Sequence, residues 1–430
     1  MVKIKKYKKL FIILAIIISG LLLYISSNKD IVIHLISFFI LIFTSCIVVK
    51  FDIFHPYVWY NIFFGIYSCA YPILYYMNIY NKYGYSKISI FYSWLSLVVI
   101  NLIIPVKKIK LKKINCLKYK NKIIENFNNL IQIFVFSVMI FIVNSSKYTH
   151  KNIIYSDNNI FLKLAFSLTY FIILVYAYNL SKKLNLNLRG IFFTILKTAF
   201  VVGMVSIITG ERDYLFSYLL ITILLLFHYK KIKIISLILI APLGIILLPL
   251  TSSFKYFILT GKIFKASISN NIFLKFLDGE FISAGRNLQI LVSNNCYNIF
   301  KGKMLLNDFI RVFYSTGVSH QIWFNQVFFP LSKHTKYGFT LTGEGYVNGG
   351  ILGVIFVFIL VGLIIRYLYL NSNKSFYNMA LYLYMIPLFI YSSRADIANI
   401  ISPLLKYGLF GITVIWILEY INFKKGVKGK

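Results

Sequence analysis

The sequence predicts an all-α polytopic membrane protein with about twelve transmembrane helices, and three observations predict it. Apolar segments of spanning length recur from one end of the 430-residue chain to the other. Hydrophobic residues make up 59% of it, with a mean hydropathy of +0.75, whereas a soluble domain is about half apolar. Lys and Arg concentrate in alternate connecting loops. The formal charge of +34 does not indicate a nucleic-acid partner: 40 of the 46 basic residues are Lys, and they flank the apolar runs instead of forming one basic domain. Cys46, Cys69, Cys116 and Cys296 stand singly, so neither a disulfide framework nor a metal motif is indicated.

A bilayer core about 30 Å thick takes roughly 20 apolar residues per helix. Twelve segments meet that requirement: 10–26, 31–49, 57–78, 88–106, 129–144, 159–178, 190–208, 214–229, 234–251, 350–370, 376–392 and 398–422. The first follows Lys3, Lys5, Lys6, Lys8 and Lys9 but lacks a small-residue cleavage site, so it reads as an uncleaved helix. With both termini cytoplasmic, the inner segments hold 25 basic residues and the short outer loops 7, in agreement with the positive-inside rule. The densest inner loop is 107–122, with eight lysines. The chain divides along its length into helices one to nine (1–251), a long extracytoplasmic loop (252–349), and helices ten to twelve with a basic tail (350–430). Within the long loop, 281–292 and 304–313 mix apolar and polar residues at helical spacing. Ile322, Trp323, Phe324, Val327, Phe328 and Phe329 are too apolar for a solvated linker. Short helices on the membrane surface are expected there.

Only six of the basic residues are Arg, and Arg212, Arg286, Arg311 and Arg394 all fall on the outer side, where topology least favours them. The planar guanidinium binds phosphate or carboxylate bidentately, which an ammonium cannot do. Nine of the twelve acids are outer as well: Asp30, Asp157, Glu211, Asp213, Asp278, Glu280, Asp308, Glu344 and Asp396. Three mini-clusters result: Glu211-Arg212-Asp213, Asp278 and Glu280 with Arg286, and Arg394 with Asp396. One exposed pair of this kind is commonly a local cap or ion pair worth about 0–1 kcal/mol. Three on one face, against a composition that favours Lys, point to a charged substrate. His320, His334, Glu344 and Asp278 are the candidate general bases. The stretch Gly343-Glu344-Gly345-Tyr346-Val347-Asn348-Gly349-Gly350 either lets backbone approach a ligand or makes a turn for close helix packing. No phosphate loop of the GxxxxGK[ST] type occurs. Lys197 lies near enough to the inner end of its span to snorkel.

The turn Gly210-Glu211-Arg212-Asp213-Tyr214, the run Ala284-Gly285-Arg286-Asn287, the glycine-rich 343–353 and the turn Ser393-Arg394-Ala395-Asp396 follow in this order on a twelve-span frame. That layout resembles the bacterial oligosaccharide repeat-unit polymerases, the O-antigen and capsule polymerase family. The resemblance implies a fold like that of the type-C glycosyltransferases, placed in the cytoplasmic (inner) membrane. It implies an enzyme that joins oligosaccharides carried on undecaprenyl diphosphate, at the outer face. Membrane lipids and a chain-length regulator are the further partners it implies, with no nucleic acid. Cleaving the sugar–diphosphate bond develops charge on the leaving group, and Arg212, Arg286 and Arg394 are the expected donors to it, with Arg311 in a lesser role. Glu211, Asp213, Asp278, Glu280, Asp396 and Tyr346 are expected beside them as substrate-binding groups. Diphosphate is a good leaving group, so neither a metal nor a cofactor is required. The O-antigen ligases share the layout. A lipid-linked oligosaccharide flippase would have about as many spans, but needs no 98-residue outer loop and calls for more mid-span charge than Lys163, Lys197, Arg366 and Lys406 supply.

Overall fold

The computed structural model describes residues 2–109, 122–144, 160–183, 188–209, 211–229, 277, 281–314, 318–330 and 338–428. Among them every regular element is helical. In chain order these are α1 (Val2–Ile25), α2 (Ile31–Val48), α3 (Pro56–Tyr76), α4 (Lys87–Ile103), α5 (Lys122–Asn144), α6 (Ile160–Lys183), α7 (Leu188–Thr209), α8 (Asp213–His228), α9 (Ile282–Ser293), α10 (Lys303–Phe313), α11 (His320–Phe328), α12 (Leu341–Asn371) and α13 (Phe376–Ser392). A last helix is broken into α14 (Ala398–Pro403), a π-helical turn (Leu404–Leu409) and α15 (Phe410–Lys428). Among the described residues, seven helices are long and apolar enough to cross a bilayer, and α4, α8 and α13 are shorter apolar helices. The chain is an all-helical polytopic membrane protein. The expected ninth span, 234–251, and most of the 107–122 loop lie outside the described residues.

The runs of helical spacing at 281–292 and 304–313 are helical as α9 and α10, and most of the apolar 322–329 lies in α11. Among the shifted boundaries, the fifth span begins at Lys122 and not at 129. Asn126, Asn128 and Asn129 read as a polar break, yet Asn128 is buried within the helix, and Glu125 in the first turn suits the positive end of the helix dipole.

The helices group into two compact units. The first comprises Met1–Ile109, Ser269–Leu370 and Leu388–Ser402; the second comprises Lys110–Ile268, Asn371–Pro387 and Pro403–Lys430. In the first, buried side-chain amides and hydroxyls join the apolar helices. Asn61 Nδ2 donates to Ser45 Oγ at 2.7 Å and to Asn101 Oδ1 at 2.9 Å, linking α3 to α2 and α4, and Trp94 Nε1 donates to Ser19 Oγ at 2.9 Å, linking α4 to α1. Between helices in an apolar medium such bonds replace the missing hydrophobic drive. His55 caps α3: its Nδ1 accepts from Tyr57 N, so Nε2 is the donor to the Pro105 carbonyl at 3.2 Å. Burial pushes its pKa down to about 3 and holds the ring neutral. In the second unit, the Glu419 carboxylate pairs with Lys182 at 2.8 Å and accepts from Tyr178 and Tyr377.

α9 packs against α3 and α4 in the first unit. Gly285 makes this close approach, since a Cβ there would meet the Ser68 carbonyl oxygen at 2.8 Å. Gln289 Oε1 then accepts from Ser86 N at 3.0 Å and Ser89 Oγ at 2.8 Å, pinning α9 to the start of α4.

α12 bends sharply at Gly349 and Gly350. Gly350 has φ +57°, which disfavours any residue with a Cβ, and a Cβ would also strike the Tyr297 ring at 2.2 Å. The bend folds residues 341–348 back on the start of the spanning part, so that a Cβ on Gly353 would lie 2.2 Å from the Gly345 carbonyl oxygen. The same glycines that make the turn thus allow the close packing. Gly353→Ala has no side chain to push aside, only backbone. It is expected to destabilise by about 1–3 kcal/mol, read as a lower midpoint of thermal unfolding in detergent; an unchanged midpoint would refute this account of the bend.

Candidate functional site

Four segments of the first unit meet at a buried polar network. α10 contributes Asp308 and Arg311, one helical turn apart, and Arg311 Nη1 donates to Asp308 Oδ1 at 2.5 Å. α11 begins at His320, held by Ser319, whose hydroxyl accepts from Ile322 N at 3.0 Å as an N-cap. The first part of α12 contributes Glu344 and Asn348, and the turn before α14 contributes Asp396 and the Ile397 amide. Asp308, His320 and Glu344 are each 0% exposed, and Asp396 is 2% exposed.

The direction of each hydrogen bond follows from one backbone amide. Leu305 N, an otherwise orphan donor in the first turn of α10, donates to Asn348 Oδ1 at 3.0 Å, which fixes the Asn348 amide. Asn348 Nδ2 therefore donates to His320 Nε2 at 2.7 Å and to the Glu344 carbonyl at 2.8 Å. With Nε2 accepting, His320 donates from Nδ1 to Asp308 Oδ2 at 2.5 Å. Glu344 Oε2 accepts from Ile397 N at 2.7 Å, while its Oε1 is buried without a hydrogen-bond partner. Asp396 Oδ1 accepts from Asn399 Nδ2 at 2.6 Å, and Asp396 Oδ2 lies 3.8 Å from Arg311. The His320 ring stacks on Phe339 at 5.3 Å.

Burial pushes the Asp396 carboxyl above the ordinary carboxylate range, and the charge of Asp308 adds to the shift; His320 and Arg311 oppose it. The folded protein thus binds this proton more tightly than the unfolded chain does. At acid pH both states are protonated and nothing is lost; as the pH rises the unfolded chain ionises first, and stability falls until the folded carboxyl ionises too. As the pH rises past about 4, where the unfolded carboxyl ionises, the thermal midpoint is expected to decline through this group. Asp396→Asn is expected to flatten that decline; an identical slope in the variant would exclude Asp396 as its source.

The two arginines expected to flank the network are tied to one strap of chain. Arg286, 7% exposed, donates through Nε and Nη2 to Asn287 Oδ1 at 3.2 and 3.1 Å, and lies 6.0 Å from the Phe329 ring. Asn287 Nδ2 donates to the Gly338 carbonyl at 2.8 Å. Next along, Phe339 N donates to the Arg394 carbonyl at 2.9 Å, and the Arg394 guanidinium sits 4.7 Å over the Tyr391 ring. A Cβ on Gly338 would be 2.6 Å from the Arg394 carbonyl oxygen, so glycine permits this approach. The strap runs on through Thr340 into the helix that bears Glu344.

Three of the four sequence motifs therefore converge within the first unit. Glu211, Arg212 and Asp213 form the turn between α7 and α8 in the second unit, each half-buried, with Glu211 N donating to Thr209 Oγ1 at 3.2 Å. Tyr346 is buried edge-on against Tyr92 and Tyr297. Asp278, Glu280 and His334 lie outside the described residues. Both nitrogens of His320 are engaged, Glu344 is engaged through Oε2 alone, and both side chains are buried. Asp396 turns to Arg311, not into a local pair with its near neighbour Arg394 alone.

Sequence reasoning counted Asp308 among the outer acids without placing it at the centre, and it quoted Asn348 and Asn287 within motifs without giving either a role. The four-residue spacing of Glu344 and Asn348 was the signal available for one of them. One ligand-type atom from each of Asp308, His320 and Glu344 lies within 4.8 Å of the others, as in a metal site. A cation there would have to displace Arg311 and the His320 N–H from Asp308, and the donor set fits an ion-pair network better. Neither a protein-family model, nor a curated protein, nor a solved structure matches the chain.

Proposed function

We propose that this protein is a glycosyltransferase that polymerises oligosaccharide repeat units carried on undecaprenyl diphosphate, at the outer face of the cytoplasmic membrane. It does so on a frame of twelve transmembrane helices with both termini cytoplasmic. The observation that carries this reading is the pair of arginine-bearing segments bound to adjacent residues of one strap, Gly338 and Phe339. Transfer of the growing chain to a sugar hydroxyl of the next unit breaks a glycosyl–phosphate bond, and the departing diphosphate gains charge. Guanidinium donors fixed beforehand by Asn287, Phe329 and Tyr391 stabilise that charge without having to reorganise. The Asp308 network fixes α10, α11 and α12 around the strap, and leaves Arg311 half-buried at its edge. The apolar stripe Leu306, Ile310 and Phe313, exposed on the opposite face of α10, supports a position in the membrane interface.

A deletion strain tests the reading directly. Loss of a polymerase leaves single repeat units on the final acceptor. Single units trapped on the inner face would instead identify a flippase, and long chains left unattached would identify a ligase.

A further inference from the structure

A cleft lies wholly within the second unit, apart from the Asp308 network of the first. It is an open-sided groove of about 680 Å³ between α5 and α7. Its rim is apolar: Phe193, Leu196 and Phe200 are 56–70% exposed. At one place it is polar. Lys197 lines it and donates to Asn129 Oδ1 at 2.5 Å. Beside it Gln132 is only 2% exposed, and neither its Oε1 nor its Nε2 has a hydrogen-bond partner.

These facts together pose a physical problem. A buried amide without partners costs about 1–3 kcal/mol for each group left unmatched, and a lysine within a span is a candidate ligand site. Gln132 is nine residues beyond Ile123 and Lys197 six beyond Ile191, where the spans begin, so both lie within about 9–14 Å of the same end at 1.5 Å per residue, and Lys197 reaches toward the interface by snorkelling. A ligand that solves the problem must be apolar over most of its length, since both helices span the membrane and the open side faces acyl chains. It must bring an anionic oxygen to Lys197 and Gln132 Nε2, and a hydroxyl donor to Gln132 Oε1.

We infer that the groove between α5 and α7 binds an anionic phospholipid with a hydroxylated head group, its phosphate on Lys197 and Gln132 and its acyl chains along Phe193, Leu196 and Phe200. A zwitterionic choline lipid offers no hydroxyl, and its own cation opposes Lys197. A polyprenyl phosphate offers the anion but not the glycerol hydroxyls that match Gln132 Oε1.

Native mass spectrometry of the full chain in detergent, titrated with phosphatidylglycerol, phosphatidylcholine or undecaprenyl phosphate, tests this. Phosphatidylglycerol is expected to bind about tenfold more tightly than phosphatidylcholine, as for a charge-assisted hydrogen bond. Lys197→Gln is expected to abolish that preference, Lys197→Arg to keep it, and Gln132→Leu to reduce it about fivefold, as for a neutral hydrogen bond. Leu196→Trp, on the rim, leaves the polar groups intact, and its fluorescence is expected to be quenched more by brominated phosphatidylglycerol than by the brominated choline lipid. Equal binding of the two phospholipids, equal quenching, or displacement of phosphatidylglycerol by undecaprenyl phosphate at equal concentration would each overturn the assignment.

Discussion

Arg286→Lys and Arg394→Lys are each expected to lower chain extension by about 10²–10³-fold, the cost of losing one preorganised donor to a developing negative charge, with membrane abundance unchanged. The substitution keeps the positive charge, so the loss isolates the guanidinium geometry. Arg286 reaches Asn287 through two nitrogens, and a single ammonium cannot hold that fork and an anion at once. Arg394 lies over the Tyr391 ring, a contact that a planar cation makes better than a compact ammonium. Arg212→Lys, in the second unit, is expected to behave likewise. The readout is the ladder of polysaccharide lengths beside an immunoblot of the membrane fraction. Normal ladders from all three variants would sink the proposal that these arginines stabilise a leaving diphosphate.

Asp308→Ala is expected to cost about 3–5 kcal/mol of stability, the range for removing one partner of a buried ion pair. Asp308 accepts from both Arg311 and His320. Its loss leaves the His320 N–H unmatched and an arginine facing an empty site. Asp308→Asn keeps one oxygen acceptor and should cost less, while Arg311→Ala removes a side chain that is one-quarter exposed and should cost least. The order of thermal midpoints in detergent checks all three. If Asp308→Ala melted with the wild type, the network would not be what holds α10, α11 and α12 together.

The spans were legible because burial in lipid leaves a one-dimensional signature: about 20 apolar residues bounded by polar ones. Thus 376–392 and α13 coincide, and α2 ends within one residue of its expected limit. Where polar side chains are buried inside a span the signature fails, as at Asn128 in α5. The site was legible as residue types but not as an arrangement. Arg286, Arg394, Glu344 and Asp396 stood out through scarcity and sidedness, whereas Asp308 resembled any loop acid. Its importance comes from His320 on the next helix and, through Arg311, from Asp396 far along the chain, and no local pattern records them.

The sequence by itself determined that this chain is helical and crosses a membrane repeatedly, because backbone polar groups in lipid can be satisfied only within helices once strand patterns are absent. It also determined that the middle of the long loop folds into helices. Only the tertiary structure decided which charged groups meet and which of their atoms are engaged. Whether a side chain can accept a further proton depends on whether its lone pairs are already used, and for His320 the Nε2 lone pair is used by Asn348 and the Nδ1 proton by Asp308, partners that proximity in space supplies and spacing along the chain does not.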